Sequence, residues 1–445
     1  MVKKSAGVAS RSPETRPLSA GDRAFLHFSR LNPGERLEFG VALYVEDPTL
    51  TVAQLRAHVA ERLRERPALI ERLSRPSSSA SRDDTVWELD HELDLDYHVR
   101  AEELPAGSGE DGLRTGLDQL AARPLDLDRP LWRLWLLHGH TPDRVAVVFW
   151  ASHIHQDGKA LHLALHLLFG PDSEPATRNL PTFGAPHARD YARTAATLLR
   201  GIPRTRQLTS WGGPPRGVAR HTWAITELET LRQIARRNAV TINDVFLAAT
   251  AGALRAWSLP EWKHGSRPIH ALMLINLRTP SEGEMLSNFS FGTRIRLPCA
   301  DPDPLRRLAQ VAAETQRAKA GGSLATVLRW VLEKIPAGAP PRLLADAASA
   351  GARPKEVALL ASNAGTMPGP FSIAGRAVST LIVMPPLFVD RSYLAVGLLG
   401  FGTQVCAGFT ASASVPRHAE LADLWLAELA ALGGPVPVRR PPRRF

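Results

Sequence analysis

Cysteine is almost absent from this chain: its 445 residues include two, Cys299 and Cys406. They lie far apart and make no metal-binding spacing. A chain of this length builds its cores without disulfides, so the pattern suits a reducing compartment. No run of roughly eighteen or more uncharged apolar residues occurs, so no segment is expected to span a membrane. The first residues lack the apolar stretch of a signal peptide. P-loop and Gly-x-Ser-x-Gly patterns are missing too, which leaves nucleoside triphosphate and serine-hydrolase readings without their usual anchors. The expected location is cytoplasmic.

The formal net charge of +10 looks at first like a nucleic-acid signal. Residues 1–17 carry +3 of it, through Lys3, Lys4, Arg11 and Arg16 against Glu14, and the last eight carry +4, through Arg439, Arg440, Arg443 and Arg444. The body is near balance. The excess therefore sits on two Pro- and Ser-containing ends, expected to be disordered, that suit solubilising tails or contact with an anionic lipid surface. Nucleic acid is not an expected partner. Apolar residues make up 44% of the chain and charged residues 22%, the composition of a soluble globular protein whose length implies two cores.

The most informative stretch begins with the apolar run Val145 to Ala151, continues as Ser152-His153-Ile154-His155-Gln156-Asp157-Gly158, and ends in the helically spaced apolar series Leu161 to Phe169. A buried strand that turns at a glycine into a helix projects polar side chains from a fixed backbone. Strand patterns also occur at 38–46, 130–137, 221–225, 270–275, 289–297, 381–383 and 404–410. Helical patterns occur at 18–30, 51–63, 113–122, 227–237, 245–257, 304–319 and 419–432, with Thr241 to Asp244 as a cap. Residues 170–220, rich in Pro, Gly, Thr and Arg, read as a crossover between two halves. The alternation argues for an α/β (α+β) pair of domains.

Three readings of the polar stretch stand side by side. His153, His155 and Asp157 have the spacing that opens a metallo-β-lactamase ligand motif, with Gly158 where that motif has a further histidine; His162 and His166 share a helix face as zinc ligands can. Alternatively, a histidine titrating at about 6.5 serves as a general base without metal, worth roughly 10²–10⁴-fold in rate. The third reading is a structural histidine at a strand end.

The order of segments resembles the bacterial wax ester synthase/acyl-CoA:diacylglycerol acyltransferase family, within the chloramphenicol-acetyltransferase-like and condensation-domain superfamily. Its hallmark is His-His-x-x-x-Asp-Gly. On that register His153 matches the second, catalytic histidine, Ser152 replaces the first, and His155 falls in the variable part. Leu18-Ser19 with Asp22, Pro130-Leu131-Trp132, Asn243-Asp244-Val245, Asn276-Leu277-Arg278, Ser287-Asn288, Ser362-Asn363 and Ile373-Ala374-Gly375 are similar to the family's companion segments, over roughly residues 18–432. The departures are Ala364-Gly365-Thr366-Met367 for Val-Pro-Gly-Pro, and Ala411-Ser412 for Asp-Arg.

The resemblance implies two chloramphenicol-acetyltransferase-like domains, each a mixed sheet with helices, with an active-site tunnel between them. The expected division is a disordered basic end at 1–17, an N-terminal domain at 18–175, a linker at 176–220, a C-terminal domain at 221–435 and a basic tail at 436–445. His153 is the implied base. Asn243 polarises the thioester carbonyl or places substrate, and Asp157 pairs with Arg278 to hold the loop. Gly158 admits the thioester arm, and Ser152, Trp132, Asn288, Ser362 and Asn363 contact substrate. No metal or resident cofactor is implied. The co-substrate is an acyl-CoA or acyl-carrier thioester, and the partners are a small hydrophobic acceptor, an acyl carrier protein and a peripheral lipid surface. The implied function is O-acyl transfer to a hydrophobic alcohol or diacylglycerol-like acceptor. Alternatives are a stand-alone condensation-type enzyme joining a carrier-bound acyl group to an amine or alcohol, and a silent protein that keeps the tunnel for binding.

Overall fold

The computed structural model describes residues 15–433 apart from 65, 76–84, 173–179, 201–203, 264–265, 320–321, 337–338 and 350–351. The expectations for residues 1–14 and the tail at 436–445 lie outside the described residues.

The apolar run becomes the strand Val145–Ser152, buried at every position. It pairs antiparallel with Glu38–Val45 on one side and, through the Gly139 turn, with Trp132–His138 on the other. Burial on both faces explains why the run is continuous rather than alternating. The six-stranded sheet around it runs Ser372–Ile373, Arg376–Met384, Glu38–Val45, Val145–Ser152, Trp132–His138, Val99–Glu103, the last pair parallel. The second six-stranded sheet runs Ser290–Leu297, Ile269–Asn276, Leu359–Met367, Leu394–Phe401, Gln404–Ser412, Ala219–Glu227. In it Leu359–Met367 is parallel to both neighbours. Each sheet packs its helices into a core, and the first core also takes in Leu399, Phe401 and Cys406 from the second sheet. The fold is two mixed α/β sheet domains.

Two boundaries differ from expectation. Arg376–Met384 leaves the second half and joins the first sheet beside Glu38–Val45, so the second domain is not contiguous over 221–435. Its exit is close-packed: a Cβ at Gly408, on the neighbouring strand of the second sheet, would lie 1.8 Å from the Val383 carbonyl. Backbone lies on backbone there, and only glycine permits it. At the other end, Thr15–Pro17 forms an edge strand against Val86–Leu89, whose other neighbour is Glu71–Ser74. It is ordered by Arg16, whose guanidinium makes two bonds of 2.6 Å to the Glu71 carboxylate. Three residues without apolar alternation carry no strand signal, so the end at 1–17 read as wholly disordered.

Candidate active site

Asp157 ends the central strand's turn as the N-cap of the helix Gly158–Phe169. Its Oδ1 accepts from the N–H groups of Lys159 and Ala160, both at 2.9 Å. The same oxygen lies 3.2 Å from Arg278 Nη2, while Oδ2 accepts from Phe289 N at 2.9 Å and Ser290 Oγ at 3.2 Å. Both oxygens are thus used on structure. Burial alone would raise the Asp157 pKa; the Arg278 charge and the backbone donors outweigh it and hold the carboxyl below its ordinary value. Arg278 is itself buried and also donates to the carbonyls of Glu282, Met285 and Ser287. It therefore shapes the loop that leads to Asn288.

Asn288 is the residue that explains His153. Its Nδ2 donates to Asp22 Oδ1 at 3.0 Å, to the His153 carbonyl at 2.7 Å and to the Ile154 carbonyl at 3.1 Å. Three acceptors around that nitrogen fix the amide's orientation, so its Oδ1 faces His153 Nδ1 at 2.8 Å as an acceptor. His153 must then carry its proton on Nδ1, which leaves the Nε2 lone pair free. The ring stacks on Phe25 with centroids 4.4 Å apart and is tilted against Phe39. Burial lowers the His153 pKa, with the Asn288 bond opposing it in part, so the imidazole is neutral at physiological pH.

Asp22 holds Asn288 in turn. It is fully buried in the helix Ala20–Leu31 and completes a capping box with Ser19. It accepts from Asn288 N at 2.9 Å, Ser287 Oγ at 2.6 Å and Trp87 Nε1 at 3.1 Å. The neighbouring Gly21 makes the approach possible, since a Cβ there would sit 2.5 Å from the Asn288 carbonyl oxygen. The spacing of Ser19 and Asp22 signals a helix cap; its second use as the anchor of a loop 266 positions away has no local signature.

His155 turns away from His153. Its Nε2 lies 2.9 Å from Glu71 Oε2, and its ring packs 4.2 Å from Trp87. Burial would raise Glu71, but the bonds from His155 and Arg16 hold its carboxyl below the ordinary range. His153, His155 and Asp157 thus have three separate sets of partners: Asn288, Glu71 and Arg278. No group of three potential metal ligands gathers among the described residues. Burial pushes His162 down to about 3.

Two cavities meet at the strand end. The first contains His153 and is walled by apolar groups such as Phe25, Leu272, Leu344, Leu360 and Phe388, with Ser290 and Ser362 among its few polar linings. The second, the more polar of the two, has Lys159, Asn243, Asn276 and Asn363 in its wall. Leu274 lines both. Between them the second sheet opens: Ile269–Asn276 and Leu359–Met367 pair only from Ala271 to Met273, opposite Leu359 to Ala361. A Cβ at Gly158 would meet nothing within 4 Å, so space beside that residue is open.

Several expected contacts are placed elsewhere. Asn243 follows the true cap, Thr241, and its amide lies 3.7 Å from Met273 Sδ; it lines the second cavity, not the one holding His153. Ser152 is buried, its Oγ accepts from Ile154 N at 3.3 Å, and it lines neither cavity. Its hydroxyl serves the turn. Trp132 is fully buried with Nε1 donating to the Leu69 carbonyl at 2.6 Å, because its side of the strand faces the core. Asn288 positions His153 instead of lining a cavity. Gly107-Ser108-Gly109-Glu110-Asp111-Gly112 has the spacing of a dinucleotide motif, but its last four residues already lie in the helix Gly109–Ala121. The stretch also carries two carboxylates, and Glu110 is bound to Tyr44 and Arg144, which disfavours a phosphate.

Comparison with known proteins finds relatives over most of the chain. A family model described as the wax ester synthase/diacylglycerol acyltransferase catalytic domain matches residues 18–221, the segment that carries the His153 strand. That match takes in just under half of the chain, which over this segment is similar to the wax ester synthase/diacylglycerol acyltransferase family. A Mycobacterium tuberculosis protein named as a diacylglycerol O-acyltransferase is 31% identical over 311 residues, 61% of this chain and 64% of its own length. The matched stretch thus spans somewhat under two thirds of that relative. Another from the same organism, with the same activity in its name, is 26% identical over 438 residues, 90% of this chain and 92% of its own. Among solved structures, the wax ester synthase/diacylglycerol acyltransferase from Marinobacter aquaeolei VT8 superposes with a TM-score of 0.64 at 20% identity, covering 94% of this chain and 98% of that one. The starter condensation domain of rhizomide synthetase gives 0.61 at 14% identity over 95% of each chain. At these identities the two structures speak for the fold alone. No helix among the described residues is long and apolar enough to cross a membrane.

Proposed function

We propose that the protein is an O-acyltransferase that moves an acyl group from a CoA thioester to the hydroxyl of a hydrophobic acceptor, an alcohol or a diacylglycerol-like molecule. The observation that carries this reading is the fixed tautomer of His153: a neutral imidazole whose free Nε2 belongs to an apolar cavity with a polar cavity next to it. Nε2 takes the acceptor's hydroxyl proton as the alkoxide oxygen attacks the thioester carbonyl, and the imidazolium returns that proton to the departing thiolate. One C–O bond forms and one C–S bond breaks, with no acyl-enzyme. Asn288 steadies the transient imidazolium through its Oδ1.

Ser362 lines the same cavity, and its hydroxyl is the donor we assign to the developing oxyanion. Asn243 and Asn363 line the polar cavity and place the pantetheine arm there. Asp157, with Arg278, is structural. The reading is supported by the family match and by relatives whose names carry the same activity. It is tested by mass-spectrometric detection of esters after incubation with acyl-CoAs and pooled alcohols, diacylglycerols and amines. Wild type is expected to form esters and His153→Ala none, with an unchanged melting temperature. Ester formation by the alanine variant at the wild-type rate overturns the base assignment. Turnover with carrier-protein thioesters and amines alone selects the condensation chemistry instead.

A further inference from the structure

Next to the polar cavity, along the edge of the second sheet, lies a cleft between the strand Ser290–Leu297 and the helix Pro304–Lys319. His270, Arg294, Arg296 and Arg317 line it, with Glu314 as the one carboxylate. Glu314 pairs with Arg317 at 2.7 Å, so the lining keeps a surplus of positive charge. His270 and Arg296 are direct cross-strand partners and so share a face of the sheet. His270 is 5% exposed, and its Nδ1 has no hydrogen-bond partner among the described residues. Burial, and then the charges of Arg294 and Arg296, push its pKa down to about 4. A buried polar atom left unpaired beside two guanidinium groups is an arrangement that an anion completes.

The cleft continues from the cavity described above. Ala318 lines both, and Lys319 beside it stands in the polar cavity. Strand geometry gives the separation. Ser290 borders the His153 cavity, and Arg294 and Arg296 follow it by four and six residues on the same strand. At a rise of about 3.3 Å per residue that is roughly 13–20 Å, a span suited to an extended pantetheine arm.

We propose that this cleft is the subsite for the phosphorylated end of the donor, the 3′-phospho-ADP of CoA, with Arg296 and Arg317 as its principal phosphate ligands and His270 beneath them. The proposal rests on the acyl-CoA reading of the site and adds the residues that would distinguish CoA from a shorter thioester.

The test uses the full chain, wild type and the double variant Arg296→Ser/Arg317→Ser, with three donors sharing one acyl group: the acyl-CoA, the acyl-dephospho-CoA and the acyl-N-acetylcysteamine thioester. Loss of charge-assisted phosphate bonds is expected to raise KM for the acyl-CoA about ten-fold or more. The effect should be smaller for the dephospho form and absent for the N-acetylcysteamine ester. An unchanged KM for acyl-CoA, or an equal loss with all three donors, overturns the proposal. Independently of turnover, calorimetry with 3′-phosphoadenosine 5′-phosphate is expected to show binding to wild type and none to the variant; no binding to wild type also overturns it. A protein inactive with every thioester but still binding that nucleotide would refute the transferase reading and leave the subsite standing.

Discussion

Replacing Asn288 by alanine isolates the device on which the proposed chemistry depends. In wild type the Asn288 oxygen accepts the His153 Nδ1 proton at 2.8 Å, and that bond strengthens when the ring becomes an imidazolium in the transition state. A hydrogen bond to a charged group is worth about 1.5–3 kcal/mol. At about 1.4 kcal/mol per decade, kcat should fall roughly 10- to 150-fold. KM should change little, because Asn288 is not among the residues that line the cavity.

The pH profile separates this from general damage. Burial already depresses the His153 pKa and the Asn288 bond opposes that shift. Removing the bond lowers the pKa further, so the acidic limb of kcat should move to lower pH in the variant. Asp22 loses the Nδ2 donor at the same time, as do the His153 and Ile154 carbonyls, which should cost about 1–3 kcal/mol of stability by urea denaturation. A folded variant with wild-type kcat, or an acidic limb displaced to higher pH, would refute the reasoning.

The other expectations concern the frame around the histidine. Asp157→Ala leaves Arg278 charged and buried without its carboxylate, so stability to urea should drop by roughly 3–5 kcal/mol; a complete loss of turnover with an unchanged urea midpoint would sink the structural assignment. Arg16→Ala should make the protein more sensitive to acid. Glu71 has a depressed folded pKa, so its contribution is present above the ordinary carboxylate value and is lost as pH falls through the folded one. Removing Arg16 narrows that shift, and the acid-unfolding midpoint followed by tryptophan fluorescence should rise; coincident acid midpoints would count against the ion pair.

The parts of this molecule visible in the sequence are those with local causes. The buried strand Val145–Ser152 shows as an unbroken apolar run, and the caps Ser19, Thr51 and Thr241 stand where their helices begin. The parts that were not visible depend on distant partners. Asn288 stands 135 positions from the histidine it orients, and a lone asparagine after a strand-like run looks like a turn residue. The transfer of Arg376–Met384 to the other sheet follows from where its edge is accepted, beside Glu38–Val45, and not from its own composition. The helices Ser323–Lys334 and Pro341–Ala348, which help roof the apolar cavity, have mixed faces and lie beside short connections that obscure their start.

The division of labour around His153 has a chemical consequence. A carboxylate bonded to Nδ1 would favour the charged ring and raise the fraction protonated at neutral pH. Asp157 is close enough in sequence to suggest that role, yet both of its oxygens are used by Lys159, Ala160, Arg278, Phe289 and Ser290. A neutral amide takes the position instead. Together with burial it leaves the imidazole unprotonated at rest, so the base form is ready before any substrate arrives, while the amide oxygen still stabilises the ring once it gains a proton. The same amide is fixed by Asp22 from the first helix and by carbonyls of the His153 turn. The base is therefore oriented jointly by the N-terminal helix, the first sheet and the loop after Arg278.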